Sequence, residues 1–168
     1  NAAEDAWYIQ RAGATNQFEV GYSNGAGYFN VDSVAPLVNT WYLLVGTWQN
    51  VGVSPPMQIR VYDTGGVLAT STNVGTGFIN ATAAGPLFLG GGPGGTFPGE
   101  ARVDKVGIWN LELSSPQMNT LWNGGLGLRG DQLALSGLTT NLLYWWDLDS
   151  ETGTATWPRP TVGCRCSP

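Results

Sequence analysis

The sequence predicts an all-β fold of short strands joined by tight turns. Twenty-five glycines and ten prolines are spread among many short apolar runs, a pattern typical of strands and turns rather than of helices. The 168 residues suit one domain, which can bury roughly two thirds of the surface of its unfolded chain. The chain has eight tryptophans, and each would bury on the order of 150–250 Å². Most of them therefore belong in a core or an interface.

Three strands are predicted near the start of the chain, at Trp7–Ile9, Phe18–Tyr22 and Tyr28–Val31. Asn24-Gly25 predicts a hairpin turn, because these residues accept the positive φ that two-residue turns require. The later run Trp41–Trp48 is apolar on both of its alternating faces. We therefore expect it to form a central strand that is covered on each side.

The middle of the chain predicts a strand with one buried and one solvent-facing side. Met57, Ile59 and Val61 alternate with Gln58, Arg60 and Tyr62, which is the period of two of a half-buried strand. Further strands are predicted at the apolar runs 67–72, 87–89, 106–108 and 142–148.

One short helix is predicted near residues 114–123. Ser114 is a suitable N-cap, and Pro116 falls in the first turn, where its missing N–H costs nothing. Three apolar residues then follow at the spacing of one helical face: Met118, Leu121 and Trp122. About two turns of helix are not stable alone, so this helix must pack on a sheet.

The charge and the lengths of the apolar runs exclude two classes of partner. Lys105 is the single lysine, 11% of the residues are charged, and the formal net charge is −5. Without a basic cluster the chain cannot neutralise a phosphate backbone, so we expect no nucleic acid partner. No apolar run approaches the roughly 20 residues that span a bilayer, so we expect no membrane insertion.

The two cysteines, Cys164 and Cys166, are separated by one residue. A bridge between them would close a very small, strained loop, which favours free or intermolecular thiols. With no histidine in the chain, the pair cannot supply the four ligands of a zinc site.

Four stretches follow one another in a recognisable order. They are the strand Trp41–Val45, the strand and turn Ile59–Gly65, the glycine-rich turn Leu89–Gly92 and the segment Phe97–Ser115, which leads into the helix. This order resembles the laminin-G-like jelly-roll family of the concanavalin A-like lectin/glucanase superfamily. The resemblance implies a two-sheet antiparallel jelly-roll sandwich with one short helix near residues 114–123. It says little about function, because this fold carries lectins, glycosidases, receptor modules and structural proteins alike.

One segment departs from the order of that family. A segment of the type N-L-x-x-Y-W-x-L-D commonly opens the family's domain, whereas here Asn141–Asp149 follows the helix. We therefore expect a sandwich at residues 1–125 that lacks its opening strands. Residues 126–168 would form an extension whose strand, at about 142–148, packs on the sandwich or on a neighbouring subunit. The alternatives are that the chain is a fragment of a longer protein or begins a second repeat.

The sequence disfavours catalysis. Glycosidases of this superfamily use paired carboxylates on one strand, in a pattern close to E-x-D-x-x-E. Glu100 and Asp104 share a strand face, but the third carboxylate is missing and Glu112 lies beyond the strand. General acid–base chemistry needs such positioned groups. We therefore expect a non-catalytic protein, with a glycoside hydrolase as the disfavoured alternative.

Aromatic side chains are the candidates for ligand binding, because aromatic rings stack on the faces of sugars. Trp48 and Trp157 are near predicted loop ends, and Tyr22 and Tyr28 flank the Asn24-Gly25 turn. We expect these four rings to contact a carbohydrate or cell-surface ligand.

No cofactor is predicted. The resemblance implies that calcium is the metal this fold could bind. Some family members bind calcium through loop carboxylates and backbone carbonyls, and the ion needs six or more oxygens. The scattered candidates here are Asp32, Asp63 and Asp104.

These features favour a non-catalytic recognition or adhesion module that binds a glycan or another cell-surface ligand. The resemblance places such modules on phage-like virions and on secreted or cell-surface proteins, so we expect an extracellular or virion-surface location. The alternative is a purely structural subunit that decorates a virion or an appendage, since low charge and abundant small residues suit packing against neighbours. In either case we expect an oligomer that contacts copies of itself or other virion subunits.

Overall fold

The computed structural model describes residues 7–23, 28–49, 56–74, 89 and 102–148. The chain divides into two compact units, Asn1–Ala84 and Gly85–Pro168, called here the first and the second unit. The described strands are β1 Trp7–Arg11, β2 Phe18–Ser23, β3 Tyr28–Asp32, β4 Leu43–Trp48, β5 Pro56–Asp63, β6 Gly66–Val74, β7 Lys105–Trp109 and β8 Leu142–Asp147. The described helices are α1 Ser115–Trp122 and α2 Gly130–Leu135, with the 3-10 turn Asn123–Gly125 between them. Antiparallel strands thus dominate, which confirms the predicted all-β class with a short helix.

The first unit is a sandwich of two three-stranded antiparallel sheets. The first sheet has the order β1-β2-β3 and the second sheet the order β4-β5-β6. Their inner faces share one core of buried side chains: Phe18, Val20, Tyr22, Val31, Met57, Ile59 and Val61. Removing this apolar surface from water is the main force that holds the two sheets together.

The predicted alternation along β5 is confirmed up to Val61, because Met57, Ile59 and Val61 are buried. Tyr62 breaks the pattern and is also buried. The register against β6 shifts between Val61 and Tyr62, and such a bulge places two consecutive side chains out of strict alternation.

Of the described strands, β5 is the middle one of the second sheet and β4 pairs with it. The central position predicted for the Trp41–Trp48 run is therefore held by β5.

The second unit contains the antiparallel pair β7–β8. β8 is the segment that the sequence placed out of family order, and it pairs with β7 inside the same chain. Trp145 is 4% exposed and its ring meets that of Trp109 edge-on, with centroids 6.1 Å apart. The indole N–H of Trp109 donates a 2.8 Å hydrogen bond to the carbonyl of Leu138. These contacts bind the end of β7 to the segment that precedes β8.

Helix α1 confirms the predicted helix. The side chain of Gln117 accepts hydrogen bonds from the backbone N–H and the hydroxyl of Ser114, at 2.8 and 2.9 Å, which satisfies a donor at the helix start. Asn123 ends the helix with a left-handed φ of 48°. The predicted apolar face is buried: Met118, Leu121 and Trp122.

Helix α2 was not predicted, because its first residue, Gly130, has low helix propensity. Tertiary contacts stabilise it. The backbone N–H of Gly130 donates a 2.9 Å hydrogen bond to the Asp147 carboxylate in β8, and Leu133 is buried.

The boundary between the two compact units lies at residues 84 and 85, and the domain division at residues 125 and 126 stays a prediction. The pairing of β8 with β7 joins the last described strand to the segment around residues 105–109. In the described part of the chain no helix is long and apolar enough to cross a membrane. Several predicted features lie outside the described residues: the hairpin turn at 24–25, most of the strand at 87–89, Glu100, Trp157, Cys164 and Cys166.

Candidate functional site on the first sheet

The first sheet carries a cluster of hydrogen-bonding side chains on the side turned away from the core. Side chains alternate along a strand, so the residues between the core positions of β1, β2 and β3 share this side. We call it the polar face: Tyr8, Gln10, Glu19, Gly21, Tyr28, Asn30 and Asp32.

Glu19 is the centre of the polar face. Although it does not point into the core, Glu19 is only 7% exposed. The Gln10 side-chain amide donates to its Oε1 at 2.9 Å, and the Asn30 amide donates to its Oε2 at 2.7 Å. Tyr8 also forms a side-chain hydrogen bond with it. The carboxyl is thus held in one orientation by donors from both neighbouring strands.

The Tyr8 ring lies directly over Gly21. A Cβ at position 21 would come within 2.4 Å of the Tyr8 hydroxyl oxygen and 2.6 Å of the Phe29 carbonyl oxygen. Glycine is therefore required here by the close approach of a side chain and a neighbouring strand. Burial, followed by the nearby Glu19 carboxylate, raises the pKa of Tyr8 above its usual range. Tyr8 accordingly stays protonated, and its hydroxyl donates a hydrogen bond to Glu19.

Asp32 lies directly opposite Glu19 in the β2–β3 register. Its Oδ1 atom is buried and has no hydrogen-bond partner. Burial raises the pKa of Asp32, and its hydrogen bond to Glu19 and the charge of Glu19 raise it further, while a hydrogen bond with Thr15 acts in the opposite direction. Burial and Glu19 thus shift the protonation equilibrium of Asp32 toward the neutral acid, relative to an ordinary aspartate.

Tyr28 gives the polar face an exposed ring, with 63% of its surface accessible. The neighbouring residues Gln10 and Asn30 are exposed as well. The polar face therefore combines an accessible aromatic surface with hydrogen-bonding groups whose positions are fixed by Glu19. Placed polar groups beside an aromatic surface are typical of small-molecule sites.

The structure separates the other aromatic candidates from this face. Tyr22 is fully buried among the core residues of the first unit, and its hydroxyl has no hydrogen-bond partner. Trp48 packs against the same core, and its ring lies 5.4 Å from that of Trp7. A ligand in solvent cannot stack on Tyr22, so we assign that ring to packing. Trp157 lies outside the described residues.

The three aspartates named as metal candidates have separate roles. Asp63 accepts a 2.7 Å hydrogen bond from the backbone N–H of Gly65 and thereby stabilises the turn between β5 and β6. Asp104 forms a 2.6 Å ion pair with Lys105. Asp32 belongs to the polar face. Within the described ranges, no group of three or more His, Cys, Asp or Glu residues could hold a metal ion.

Sequence reasoning did not find Glu19, Tyr8, Gln10 or Asn30. One signal was present, since Glu19 is a charged residue inside the apolar run Phe18–Tyr22. A strand with one buried side allows a charge on its other side, so this signal does not predict a buried carboxylate. The cross-strand partners that bury Glu19 depend on strand register.

A laminin G family model, Laminin_G_3, described as the concanavalin A-like lectin/glucanases superfamily, matches residues 1–119. No curated protein and no solved structure matches the chain significantly. The family comprises carbohydrate- or ligand-binding modules that are typically non-catalytic, although the superfamily also includes glycosidases. The match covers more than half of the chain and contains the whole polar face. The chain therefore belongs to this laminin G family of the concanavalin A-like lectin/glucanases superfamily.

Proposed function

We propose that the chain is a non-catalytic recognition module whose polar face binds neutral glycans. The observation that carries the proposal is the exposed ring of Tyr28 beside amide groups that Glu19 holds in place. The ring would stack on the apolar face of a sugar, and the amides of Gln10 and Asn30 would bind its hydroxyl groups.

The charges of the polar face favour a neutral ligand. The polar face contains two carboxyl side chains, Glu19 and Asp32. None of its seven residues is arginine or lysine. Arg11 lies on the same strand as Tyr8 and Gln10, but it pairs with the core residue Phe18 and so shares the opposite side of the sheet. Sialylated or sulfated glycans would bring a negative charge toward carboxyl groups without a cation to balance it.

The test is binding of the purified chain to an array of neutral, sialylated and sulfated oligosaccharides. We expect neutral glycans to bind, and Tyr28→Ala to weaken binding about tenfold, which corresponds to about 1.4 kcal/mol. Tyr28→Trp retains an aromatic surface and should retain binding.

Trp41→Ala is the matched control, because Trp41 is another exposed ring of the first unit, 51% accessible, that does not belong to the polar face. It should bind like the unaltered chain. Binding that survives Tyr28→Ala but is lost in Trp41→Ala would place the site elsewhere and contradict the proposal. Selective binding of acidic glycans would contradict the proposed ligand class.

We also propose that the module works at an extracellular or virion surface. The family's role in carbohydrate or ligand recognition supports this location. Fractionation of the source cells or particles, followed by detection of the chain with an antibody, tests it. Detection confined to the cell interior would contradict it.

A second candidate function is that of a structural subunit that packs against neighbours. The loop before β4 favours this function, because Leu37, Val38 and Trp41 are 71%, 89% and 51% exposed. The loop is nevertheless ordered by a 3.0 Å hydrogen bond from the Leu37 N–H to the Tyr42 hydroxyl. Light scattering distinguishes the candidates: an oligomer that Val38→Asp converts to a monomer supports the structural subunit, and a monomer at high concentration contradicts it.

A further inference from the structure

Glu19 and Asp32 form an unusual pair of like residues. They are direct partners in the antiparallel register of β2 and β3, and directly opposite residues on one sheet face have Cβ atoms about 4.5–5.5 Å apart. Two like charges in this position destabilise a sheet. A feature that removes one of the two charges would therefore stabilise this part of the sheet.

The surroundings of the two carboxyl groups are not equivalent. Glu19 accepts hydrogen bonds from Gln10, Asn30 and Tyr8, and an ionised carboxylate is the form that only accepts. Asp32 has a buried Oδ1 without a donor, and an ionised oxygen in that position would carry an uncompensated desolvation cost. The geometry thus favours a carboxylate at Glu19 and a neutral acid at Asp32.

We propose that Glu19 and Asp32 share one proton, carried by Asp32 and donated to Glu19, and that its release with rising pH loosens the polar face. Once Asp32 is ionised, the two carboxylates repel each other. This repulsion pushes β2 and β3 apart and weakens the hydrogen bond from the Asn30 amide to Glu19. We expect the affinity of the polar face for glycans to be higher in acid than at neutral pH. This part of the inference rests on the proposed function.

Few other titratable groups face the pair. In the described residues they are Tyr8 from β1 and Tyr28 from β3, which both lie on the polar face, and Thr15 contributes a neutral hydrogen bond. Burial and Glu19 raise the pKa of Asp32 above its unfolded value, which is about 3.9 for an ordinary aspartate. The stability that this proton supplies is therefore complete below about pH 4 and is lost as the pH rises through the folded-state pKa.

The first experiment follows the carboxyl carbons of both residues by NMR between pH 3 and 8. We expect the Asp32 carboxyl carbon to titrate above the ordinary range of an aspartate, because burial and Glu19 raise its pKa. Asp32→Asn should abolish this titration. A titration of Asp32 at the ordinary aspartate value would overturn the proposal without the need for any variant.

The second experiment compares the Tm of three proteins across the same pH range. An asparagine at position 32 can donate to Glu19 at every pH, so Asp32→Asn should raise Tm at pH 7 by about 2–4 °C and leave it unchanged at pH 3.5. Asp63→Asn is the matched control, since it removes one charge from the first unit outside the polar face and should give no such pH-dependent gain. Parallel pH profiles for the unaltered chain and Asp32→Asn would overturn the proposal.

The third experiment measures binding of a neutral oligosaccharide at pH 4.5 and 7.5. We expect affinity to fall about tenfold or more at the higher pH in the unaltered chain and to stay constant in Asp32→Asn. Binding that is equal at both pH values overturns the regulatory role. A raised titration of Asp32 with no binding at either pH supports the proton-sharing pair and refutes the proposed glycan function, so the two failures are distinguishable.

Discussion

Gly21→Ala tests directly how closely the polar face is packed. A Cβ at this position would lie 2.4 Å from the Tyr8 hydroxyl oxygen and 2.6 Å from the Phe29 carbonyl oxygen. Ordinary van der Waals contacts of a Cβ begin at 3.4 Å. The Phe29 carbonyl belongs to the neighbouring strand, so the substitution must both push Tyr8 aside and separate β2 from β3.

The expected destabilisation has two sources. Forcing an extra methyl group into a packed site typically costs about 1–3 kcal/mol, and loss of the hydrogen bond from Tyr8 to the Glu19 carboxylate costs about 1.5–3 kcal/mol. The two effects overlap at one site, so we expect a total of about 3 kcal/mol. For a chain of this size, that lowers Tm by about 6–12 °C.

Differential scanning calorimetry measures this change, with Gly13→Ala as the matched control. Gly13 lies in the turn between β1 and β2, and no atom would lie within 4 Å of a Cβ there. Its replacement should alter stability by less than about 1 kcal/mol. A Gly21→Ala protein that melts within 2 °C of the unaltered chain would refute the described contact between Tyr8 and Gly21.

Two further predictions concern the second unit. Gly107→Ala would place a Cβ 2.4 Å from the Trp109 ring and 2.9 Å from the Trp145 ring, so we expect a loss of about 2–4 kcal/mol and an altered near-UV circular dichroism spectrum; an unchanged spectrum and stability would contradict the described packing. Gln117→Ala removes the acceptor of two hydrogen bonds at the start of α1 and should lower the free energy of unfolding by about 0.5–1.5 kcal/mol in urea, whereas Gln117→Glu, which keeps the acceptor, should not. Equal losses in both Gln117 variants would contradict the capping role.

Much of the fold could be predicted because its signals are local. The alternation of Met57, Ile59 and Val61 predicts a half-buried strand, since the pleat alone determines which side chains share a face. Ser114, Pro116 and the apolar spacing of α1 likewise predict a helix, because capping and helical periodicity are local properties of the chain. Exceptions arise where tertiary contacts dominate. Tyr62 is buried because of a bulge, and α2 begins at a glycine because Asp147 binds its N–H.

Less of the candidate site than of the fold could be predicted from the sequence. Tyr28 was named as a ligand-binding candidate because it flanks a turn, and Asp32 was named only as a calcium candidate, yet both lie on the polar face. Tyr22 was named for the same reasons but lies in the core, because it is one residue away in strand alternation from the exposed side. A turn-flanking tyrosine in isolation does not show which face of the sheet it occupies.

The sequence by itself therefore determined most of the strand pattern, helix α1 and the family. Only the tertiary structure decided that Glu19 meets Gln10, Asn30, Tyr8 and Asp32 on one sheet face. The physical reason is that register between strands is fixed by the pairing of whole β-strands over a shared core. A shift of one residue would move every one of these side chains to the opposite face.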